Sequence, residues 1–271
     1  MKKLIASLFA IIAFVTAHAQ KLPNVQQKSL RAPDNVKVDG KTNEWNSFAA
    51  YNYATGIYYT IANDNDNLYL AIQAKDANVL SKITQRGIVL EIDPSGKKNA
   101  SNVVSVQYPV FELQYKNKPY IRFSNASGLT ADQRREMLAN PDSMRAMANK
   151  KIKANDKYIR TSGMSDVDTL LSVYNEKDIV ARQGFEKWEL YNYELAIPLK
   201  YLNLRGSDAK FAYHIILKGM SVDIDSGLKM TKQPDGNMAI SMAPGAVTIQ
   251  NKDMPAVIAT TDFWGDYTLA K

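Results

Sequence analysis

The feature that most constrains the fold of this chain is a succession of short β-type segments, rich in aromatic and β-branched residues and separated by turn residues. Alternating apolar and polar residues at 35–39 run into an Asp-Gly turn pair. Residues 56–62 and 67–74 flank four polar residues, which is the pattern of a β-hairpin. The remaining predicted strands are 86–93, 103–109, 110–115, 119–124, 168–174, 187–198, 210–219, 238–242 and 266–270. Many short strands of this kind indicate a mainly β chain, folded as an antiparallel β-sandwich or barrel and not as βαβ units.

The spacing of the apolar residues changes in the middle of the chain, where we predict a helical insertion at about 125–165. Thr130 and Gln133 have the spacing of a capping box, which marks the start of a helix at 130–139. An Asn-Pro pair separates this helix from a second one, predicted at 142–153. The insertion is therefore expected to be a helical pair within a β domain.

The N-terminus predicts a secretory signal peptide at residues 1–19. Two lysines precede an apolar stretch at 4–15, and Ala17 and Ala19 fit the small-residue pattern before a cleavage site. A membrane anchor is the alternative, but the stretch is shorter than the roughly 20 residues that span a bilayer. We expect an exported protein, periplasmic or secreted, whose mature chain begins at Gln20. No later stretch predicts an integral membrane protein.

The mature chain reads as one large domain. Residues 20–33 are polar, contain two prolines and predict an extended N-terminal arm, and 34–271 form the β-sandwich with its insertion. The absence of cysteine excludes disulfides, thiolate catalysis, iron–sulfur clusters and covalently attached haem. The formal charge of +7 comes from 34 basic and 27 acidic residues that are spread along the chain. Without a basic stripe or a recognised module, this charge does not predict nucleic-acid binding.

Five segments, in order along nearly the whole mature chain, carry a resemblance to a known family. They read VDGKTNEW at 38–45, NDNDNLYLAIQAKD at 63–76, RGIVLEIDPSG at 86–96, YELAIPLKYLNL at 193–204 and DFWGDYTLA at 262–270. Together they resemble the family 9 carbohydrate-binding module, within the wider group of DOMON-like β-sandwiches. The resemblance implies binding of a glycan or polysaccharide on aromatic side chains, because the C–H face of a sugar stacks on an indole or phenol ring.

The resemblance makes the three tryptophans the first candidates for a sugar-binding surface. Trp264 has the strongest case, because it lies beside a glycine in a predicted C-terminal loop. Trp188 begins a predicted strand, and Trp45 lies in a motif where packing accounts for the ring. Tyr53 and Tyr58 belong to a cluster of tyrosines and are further candidates. Packing is the alternative for all of them, since alternating tyrosines on a strand commonly pack on one face.

Four aspartates near predicted turns are candidate ligands of a structural calcium ion: Asp64, Asp66, Asp76 and Asp93. Calcium binds about six to eight oxygen ligands, which carboxylates and backbone carbonyls at such turns supply. The spacing does not match an EF-hand, and turn geometry alone also accounts for aspartate at these positions. Asp223 and Asp225 form a second, weaker candidate pair.

Little in the sequence supports catalysis, and we predict that the protein is not an enzyme. His214 is the single histidine outside the signal peptide and lies in an apolar strand, so nucleophilic triads lack their residues. A glycoside hydrolase needs only two carboxylates flanking the scissile bond. That alternative keeps four glutamates open: Glu91, Glu112, Glu189 and Glu194.

We therefore expect a non-catalytic, exported protein that binds carbohydrate through exposed aromatic residues, with no cofactor other than the calcium considered above. The alternative is a structural or interaction protein of the cell envelope, in which the 125–165 insertion contacts a protein partner. The DOMON-like resemblance also implies a haem-binding alternative, with His214 and either Met220 or Met242 as axial ligands. Methionine more commonly fills irregular gaps in a core.

Overall fold

The computed structural model describes residues 21–111, 121–124, 129–206, 208–219, 229–232, 238–241 and 254–271. Within these ranges the chain is mainly β. The strands are β1 (Ala50–Asn52), β2 (Ile57–Asn63), β3 (Asn67–Ala74), β4 (Ile88–Asp93), β5 (Val104–Val110), β6 (Tyr158–Ser162), β7 (Leu170–Ser172), β8 (Val180–Lys187), β9 (Leu190–Pro198), β10 (Lys210–Leu217), β11 (Lys229–Lys232), β12 (Met238–Ser241) and β13 (Thr261–Thr268). The α-helices are α1 (Ala77–Arg86), α2 (Ala131–Ala139), α3 (Pro141–Asn155) and α4 (Met254–Ile258).

Most of these strands belong to two antiparallel sheets. The five-stranded sheet has the order β1-β2-β3-β9-β8, and the six-stranded sheet has the order β13-β10-β4-β5-β6-β7. Strands β11 and β12 pair with each other. The register places Leu70 opposite Leu195 in the first sheet, and Tyr213 between Ile92 and Gly265 in the second. Because successive side chains of a strand point to opposite faces, each sheet has one inner and one outer face.

The inner faces of the two sheets share one hydrophobic core. Tyr59 of the five-stranded sheet and Tyr213 of the six-stranded sheet are fully buried, and their hydroxyl oxygens lie 2.9 Å apart. The ring centroids of Tyr108 and Tyr193, again one from each sheet, are 5.9 Å apart. The sheets therefore pack face to face, as the alternation of apolar residues predicts.

Helix α1 connects β3 to β4 and buries Leu80 and Ile83 in the same core. Asp76 caps the N-terminus of this helix by accepting hydrogen bonds from the backbone amides of Asn78 and Val79. Gly87 ends the helix with a φ of 71°. This helix is not predicted from the sequence, because its core residues Ala77, Leu80 and Ile83 form only a short periodic run between strongly β-forming segments.

Residues 30–48 cover the outer face of the five-stranded sheet. Trp45 and Ala32 form a second core cluster with Tyr69, Ala71 and Ala196 of the strands beneath. The strand predicted at 35–39 is therefore wrong: this segment lies across the sheet without pairing in it. Its alternating apolar residues, Val36 and Val38, pack against the sheet face and are not part of a strand ladder.

The predicted pair of helices is confirmed as α2 and α3. The Thr130 hydroxyl accepts a hydrogen bond from the Gln133 amide at 3.2 Å, and the Gln133 side chain accepts one from the Thr130 amide at 3.0 Å, which completes the capping box. The end of the predicted insertion is wrong, because β6 begins at Tyr158 and joins the six-stranded sheet. Alternate residues of this strand, Ile159 and Thr161, face the interior, so the helical spacing of the insertion gives way here to the two-residue spacing of a strand.

Two strands differ from the sequence expectation in ways that concern the candidate site. Strand β8 was missed, because Gly184 and several charged residues interrupt its apolar pattern. Strand β13 begins at Thr261, five residues before the predicted start at 266, so Trp264 lies in a strand and not in a loop. The predicted strand at 119–124 is not formed over 121–124, although Ile121 and Phe123 reach the core.

Several expectations concern residues outside the described ranges: the signal peptide at 1–19, most of the strand at 110–115, and the side chains of Glu112, Met220, Asp223, Asp225 and Met242. Within the described ranges, none of the helices combines the length and apolar character needed to cross a membrane.

Candidate functional site

The outer face of the six-stranded sheet carries a Trp264–His214 pair that is built across its first three strands. Trp264 on β13 is the register partner of His214 on β10, and His214 is in turn the partner of Glu91 on β4. The indole and imidazole rings are stacked, with centroids 4.2 Å apart and an interplanar angle of 10°. Neighbouring strands are about 4.8 Å apart, so two rings that stand side by side on them meet face to face.

Two carboxylates hold the imidazole in place. His214 Nδ1 lies 2.9 Å from Glu91 Oε2, and His214 Nε2 lies 2.7 Å from Asp262 Oδ2. The His214 side chain is 12% exposed, whereas that of Asp262 is 45% exposed. Both ring nitrogens are thereby engaged, which restricts rotation of the ring and gives the indole of Trp264 a rigid backing.

Trp264 has one face against His214, and its other face points away from β10. In the described part of the chain, β13 forms one edge of the six-stranded sheet. The residues at the next positions on the same face of β13 are Asp262 and Asp266, and Asp266 pairs with Lys98 at 2.9 Å. The partly exposed indole is therefore bordered by carboxylates that can accept hydrogen bonds.

Tyr53 and Tyr58 belong to a second aromatic surface, on β1, β2 and the turn between them. The ring centroids of Tyr51 and Tyr53 are 5.1 Å apart and those of Tyr51 and Tyr58 are 4.6 Å apart. Tyr53 is 50% exposed, and the Lys21 ammonium lies 4.7 Å from its ring centroid. This lysine partly occupies the ring of Tyr53, so the surface offers less uncovered aromatic area than its ring count indicates.

The structure places the other two tryptophans in packed environments. Trp45 is buried, and its Nε1 donates a hydrogen bond to Glu194 Oε1 at 2.9 Å. Trp188 packs against the main core, with its ring centroid 6.0 Å from those of Phe123 and Phe185. Packing accounts for the buried ring of Trp45, whereas Trp188, like Trp264, is only partly buried.

Three of the four candidate calcium ligands, Asp64, Asp76 and Asp93, accept hydrogen bonds in turns or caps, and Asp66 takes part through its backbone. Asp64 accepts hydrogen bonds from the Asp66 and Asn67 amides and from the Tyr69 hydroxyl, at 2.8, 2.7 and 2.7 Å. Burial favours its neutral form, but these hydrogen bonds outweigh burial and lower the pKa of Asp64. Asp76 caps α1, and the buried Asp93 accepts hydrogen bonds from the turn that follows β4. Among the described residues no group of three or more acidic or histidine side chains is arranged to hold a metal ion.

The described glutamates considered for glycoside hydrolysis lie in three separate places. Glu91 contacts His214 on the outer face of the six-stranded sheet. Glu194 is buried on the outer face of the other sheet, beneath the 39–45 segment. Glu189 accepts hydrogen bonds from the amide and hydroxyl of Ser124. These three carboxylates do not converge on one cavity.

A cleft of about 550 Å³ lies between α3, β8 and the Asp39-Gly40 turn, and sequence reasoning missed it. Tyr174 at its rim is 80% exposed, and the Arg182 guanidinium lies 5.8 Å from the centroid of that ring. The lining residues come from segments between Asp39 and Glu186 that are far apart in the chain. No local sequence motif could have shown that they meet.

These geometric observations stand alone as the basis for a function, because no protein-family model and no curated protein matches the chain.

Proposed function

We propose that this chain is an exported, non-catalytic carbohydrate-binding protein and that Trp264 is its stacking platform. The observation that carries the proposal is the parallel stack of Trp264 on His214, held by Glu91 and Asp262. An aromatic ring beside carboxylates is the chemistry that a sugar requires, because its C–H face is apolar and its hydroxyl groups donate hydrogen bonds.

Preorganisation favours binding at this surface. A ligand that must first order a mobile side chain loses part of its binding free energy to that ordering. Here the imidazole behind the indole is held through both of its nitrogen atoms, so the platform needs little rearrangement. Asp262 and Asp266 lie beside the ring on the same face of β13 and are suited to accept hydrogen bonds from sugar hydroxyls.

We further propose that the fold is a β-sandwich of the DOMON-like group, related to the family 9 carbohydrate-binding module. Two face-to-face antiparallel sheets support this assignment. The segments at 38–45 and 193–204, which carry part of the resemblance, also contact each other directly. Glu194 accepts hydrogen bonds from Trp45 Nε1 and from the amides of Asp39 and Gly40.

A glycan panel, followed by the tryptophan fluorescence of the purified protein with and without calcium, tests the proposal. We expect a saturable change with at least one glycan, retained without calcium because the carboxylates of Asp64, Asp76 and Asp93 already accept hydrogen bonds from the protein. The change should disappear in Trp264→Ala and remain in Tyr53→Ala, the matched variant on the other aromatic surface. Circular dichroism checks that both variants are folded. Loss in Tyr53→Ala alone would move the site to the tyrosine surface.

A second candidate function is that of an interaction protein of the cell envelope. The observation that favours it is the presence of exposed apolar residues on the helical insertion: Leu138 is 56% and Met147 is 43% exposed. If no glycan in the panel changes the fluorescence, this function replaces carbohydrate binding. Export itself is tested by N-terminal sequencing of the native protein, which should begin at Gln20.

A further inference from the structure

The cleft beside α3 is formed by the docking of the helical insertion on the five-stranded sheet. Asn149 in the middle of α3 donates a hydrogen bond to the Phe185 carbonyl at 2.9 Å and accepts one from the Phe185 amide at 2.7 Å. These two bonds join the helix to β8. The cleft has a volume of about 550 Å³, which is within the range of small-molecule sites, about 300–1,000 Å³.

Basic side chains outnumber acidic ones in the lining of this cleft. Five are basic and three are acidic: Lys41, Arg145, Lys153, Lys157 and Arg182, against Asp39, Asp156 and Glu186. Lys41 and Asp39 lie 3.8 Å apart and largely offset each other. Arg145 is likewise paired, with Asp142 at 3.4 Å. The rest of the lining has three basic residues against two acidic ones, and this small excess of positive charge favours a ligand that carries a negative charge.

Arg182 is positioned to bind a planar anion. Its Nη1 donates a hydrogen bond to the Ala181 carbonyl at 2.8 Å, which orients the guanidinium near Tyr174. Within the described ranges only Nη1 of this group donates a hydrogen bond, so Nη2 and Nε are available to a ligand, and a guanidinium binds a carboxylate with two parallel hydrogen bonds. Arg182 lies over one face of the Tyr174 ring, and because the residue is 80% exposed, the rest of the ring adds an apolar surface next to this donor pair.

Two carboxylates in the lining of the cleft, those of Asp156 and Glu186, are hydrogen-bond acceptors. The buried Tyr108 hydroxyl donates to Asp156 Oδ2 at 2.9 Å, and Glu186 Oε2 accepts from the Asn192 side chain at 3.1 Å. Each of these carboxylates has a further oxygen that can accept from a ligand hydroxyl. A ligand without hydroxyl groups would face these negative charges without a compensating hydrogen bond.

We propose that this cleft binds a polyhydroxylated monocarboxylate, specifically a uronate sugar unit. Its carboxylate matches the arginine donors, its hydroxyl groups match Asp156 and Glu186, and its C–H face matches the Tyr174 ring. A phosphate dianion fits less well, because it would bring two charges next to these carboxylates and donate no hydrogen bond to them.

This site is independent of the Trp264–His214 pair. Trp264 lies on β13 at one edge of the six-stranded sheet, whereas Tyr174 follows β7 at the other edge. Five strand spacings of about 4.8 Å put the two edges roughly 24 Å apart. One site can therefore fail experimentally without the other.

Calorimetric titration of the purified protein with glucuronate and galacturonate, and with glucose and galactose as neutral counterparts, tests the proposal. We expect the uronates to bind at least about tenfold more tightly than the neutral sugars, since a hydrogen bond to a charged group contributes about 1.5–3 kcal/mol. Arg182→Gln should weaken uronate binding most, because it removes the guanidinium that faces the carboxylate. Arg145→Gln should weaken it less, through the loss of a positive charge from the lining. Arg135→Gln should not, because Arg135 pairs with an aspartate three residues earlier, as Arg145 does, but lies outside the cleft.

Tyr174→Ala provides a second variant that should leave the fold intact, because the ring is mostly exposed. It should weaken uronate binding at least about fivefold if stacking contributes on the scale of other aromatic contacts. Trp264→Ala should leave uronate binding unchanged. Equal affinity for uronates and neutral sugars, no binding of either, tighter binding of inorganic phosphate, or loss of uronate binding in Trp264→Ala would each overturn the proposal.

Discussion

Among single residues, the buried carboxylate of Glu194 has the most demanding environment. It accepts hydrogen bonds from Trp45 Nε1 at 2.9 Å and from the Asp39 and Gly40 amides at 3.0 Å, and it is 1% exposed. Burial raises the pKa of Glu194 to about 7, although the three hydrogen bonds act in the opposite direction, and nearby Glu44 adds to the rise. The carboxyl group therefore titrates near neutral pH in the folded protein.

The free energy of unfolding should consequently fall as the pH rises from about 5 to 8. The pKa of Glu194 is about 7 when folded, against 4.5 for an ordinary glutamate. Between these values the folded state binds the proton and the unfolded state does not, so the stabilisation is present below pH 4.5 and is lost through pH 7. The loss from this one group is about 2–3 kcal/mol.

Urea unfolding at pH 5 and pH 8 measures this loss. In Glu194→Gln the group no longer titrates, so the difference in unfolding free energy between the two pH values should shrink by the amount given above. Glu176→Gln, at an exposed position, is the control and should keep the wild-type difference. If the Glu194→Gln variant keeps the pH dependence of the wild type, Glu194 is not the group that causes the loss of stability.

Gly265 lies beside Trp264 but on the inner face of β13. A Cβ atom at this position would overlap the side chain of the fully buried Tyr213, whose hydroxyl contacts that of Tyr59. Gly265→Ala should therefore lower the free energy of unfolding by about 1–3 kcal/mol, the usual effect of an overpacked core. Gly184→Ala is the control, because an added Cβ on β8 meets its nearest atom at an ordinary 3.5 Å. Equal thermal stability of the two variants would contradict the close packing of Gly265 against Tyr213.

Among the elements, α3 makes a polar contact with β8 through the side chain of Asn149. Asn149→Ala removes both hydrogen bonds to Phe185 and should lower the free energy of unfolding by about 1–2 kcal/mol. Amide hydrogen exchange at Phe185 should become faster. Asn155→Ala on the same helix is the matched control, since that side chain bonds to the Lys151 carbonyl within the helix. Unchanged exchange at Phe185 in Asn149→Ala would show that the helix is held by other contacts.

The elements also differ in how well the sequence predicts them. The β2–β3 hairpin was predicted correctly, because its apolar residues and its polar turn are local features. The α2 capping box was predicted for the same reason. Residues 35–39 look like a strand in isolation, but no strand partner lies beside them, and they cover a sheet face instead. Gly184 interrupts the apolar pattern of β8, so the sequence does not predict this strand, which forms by pairing with β9.

At the scale of the whole molecule, the sequence predicts the two face-to-face sheets but only part of the candidate sites on them. Trp264 was predicted as the first binding candidate, but its partners Glu91, His214 and Asp262 come from three strands. Their proximity depends on strand order, which local patterns do not contain. The cleft beside α3 depends in the same way on how a helical insertion docks, and no spacing along the chain reveals it.

Carbohydrate binding on Trp264 is tested most directly by nuclear magnetic resonance spectra of the ¹⁵N-tryptophan-labelled protein, in which the three indole N–H groups are observed separately. If Trp264 is the platform, one of these resonances, assigned by its absence in Trp264→Phe, shifts progressively when the glycan identified in the panel is added. The resonances of the packed Trp45 and Trp188 should stay in place. A shift confined to Trp45 or Trp188, or no shift at all under saturating glycan, would contradict Trp264 as the carbohydrate-binding platform.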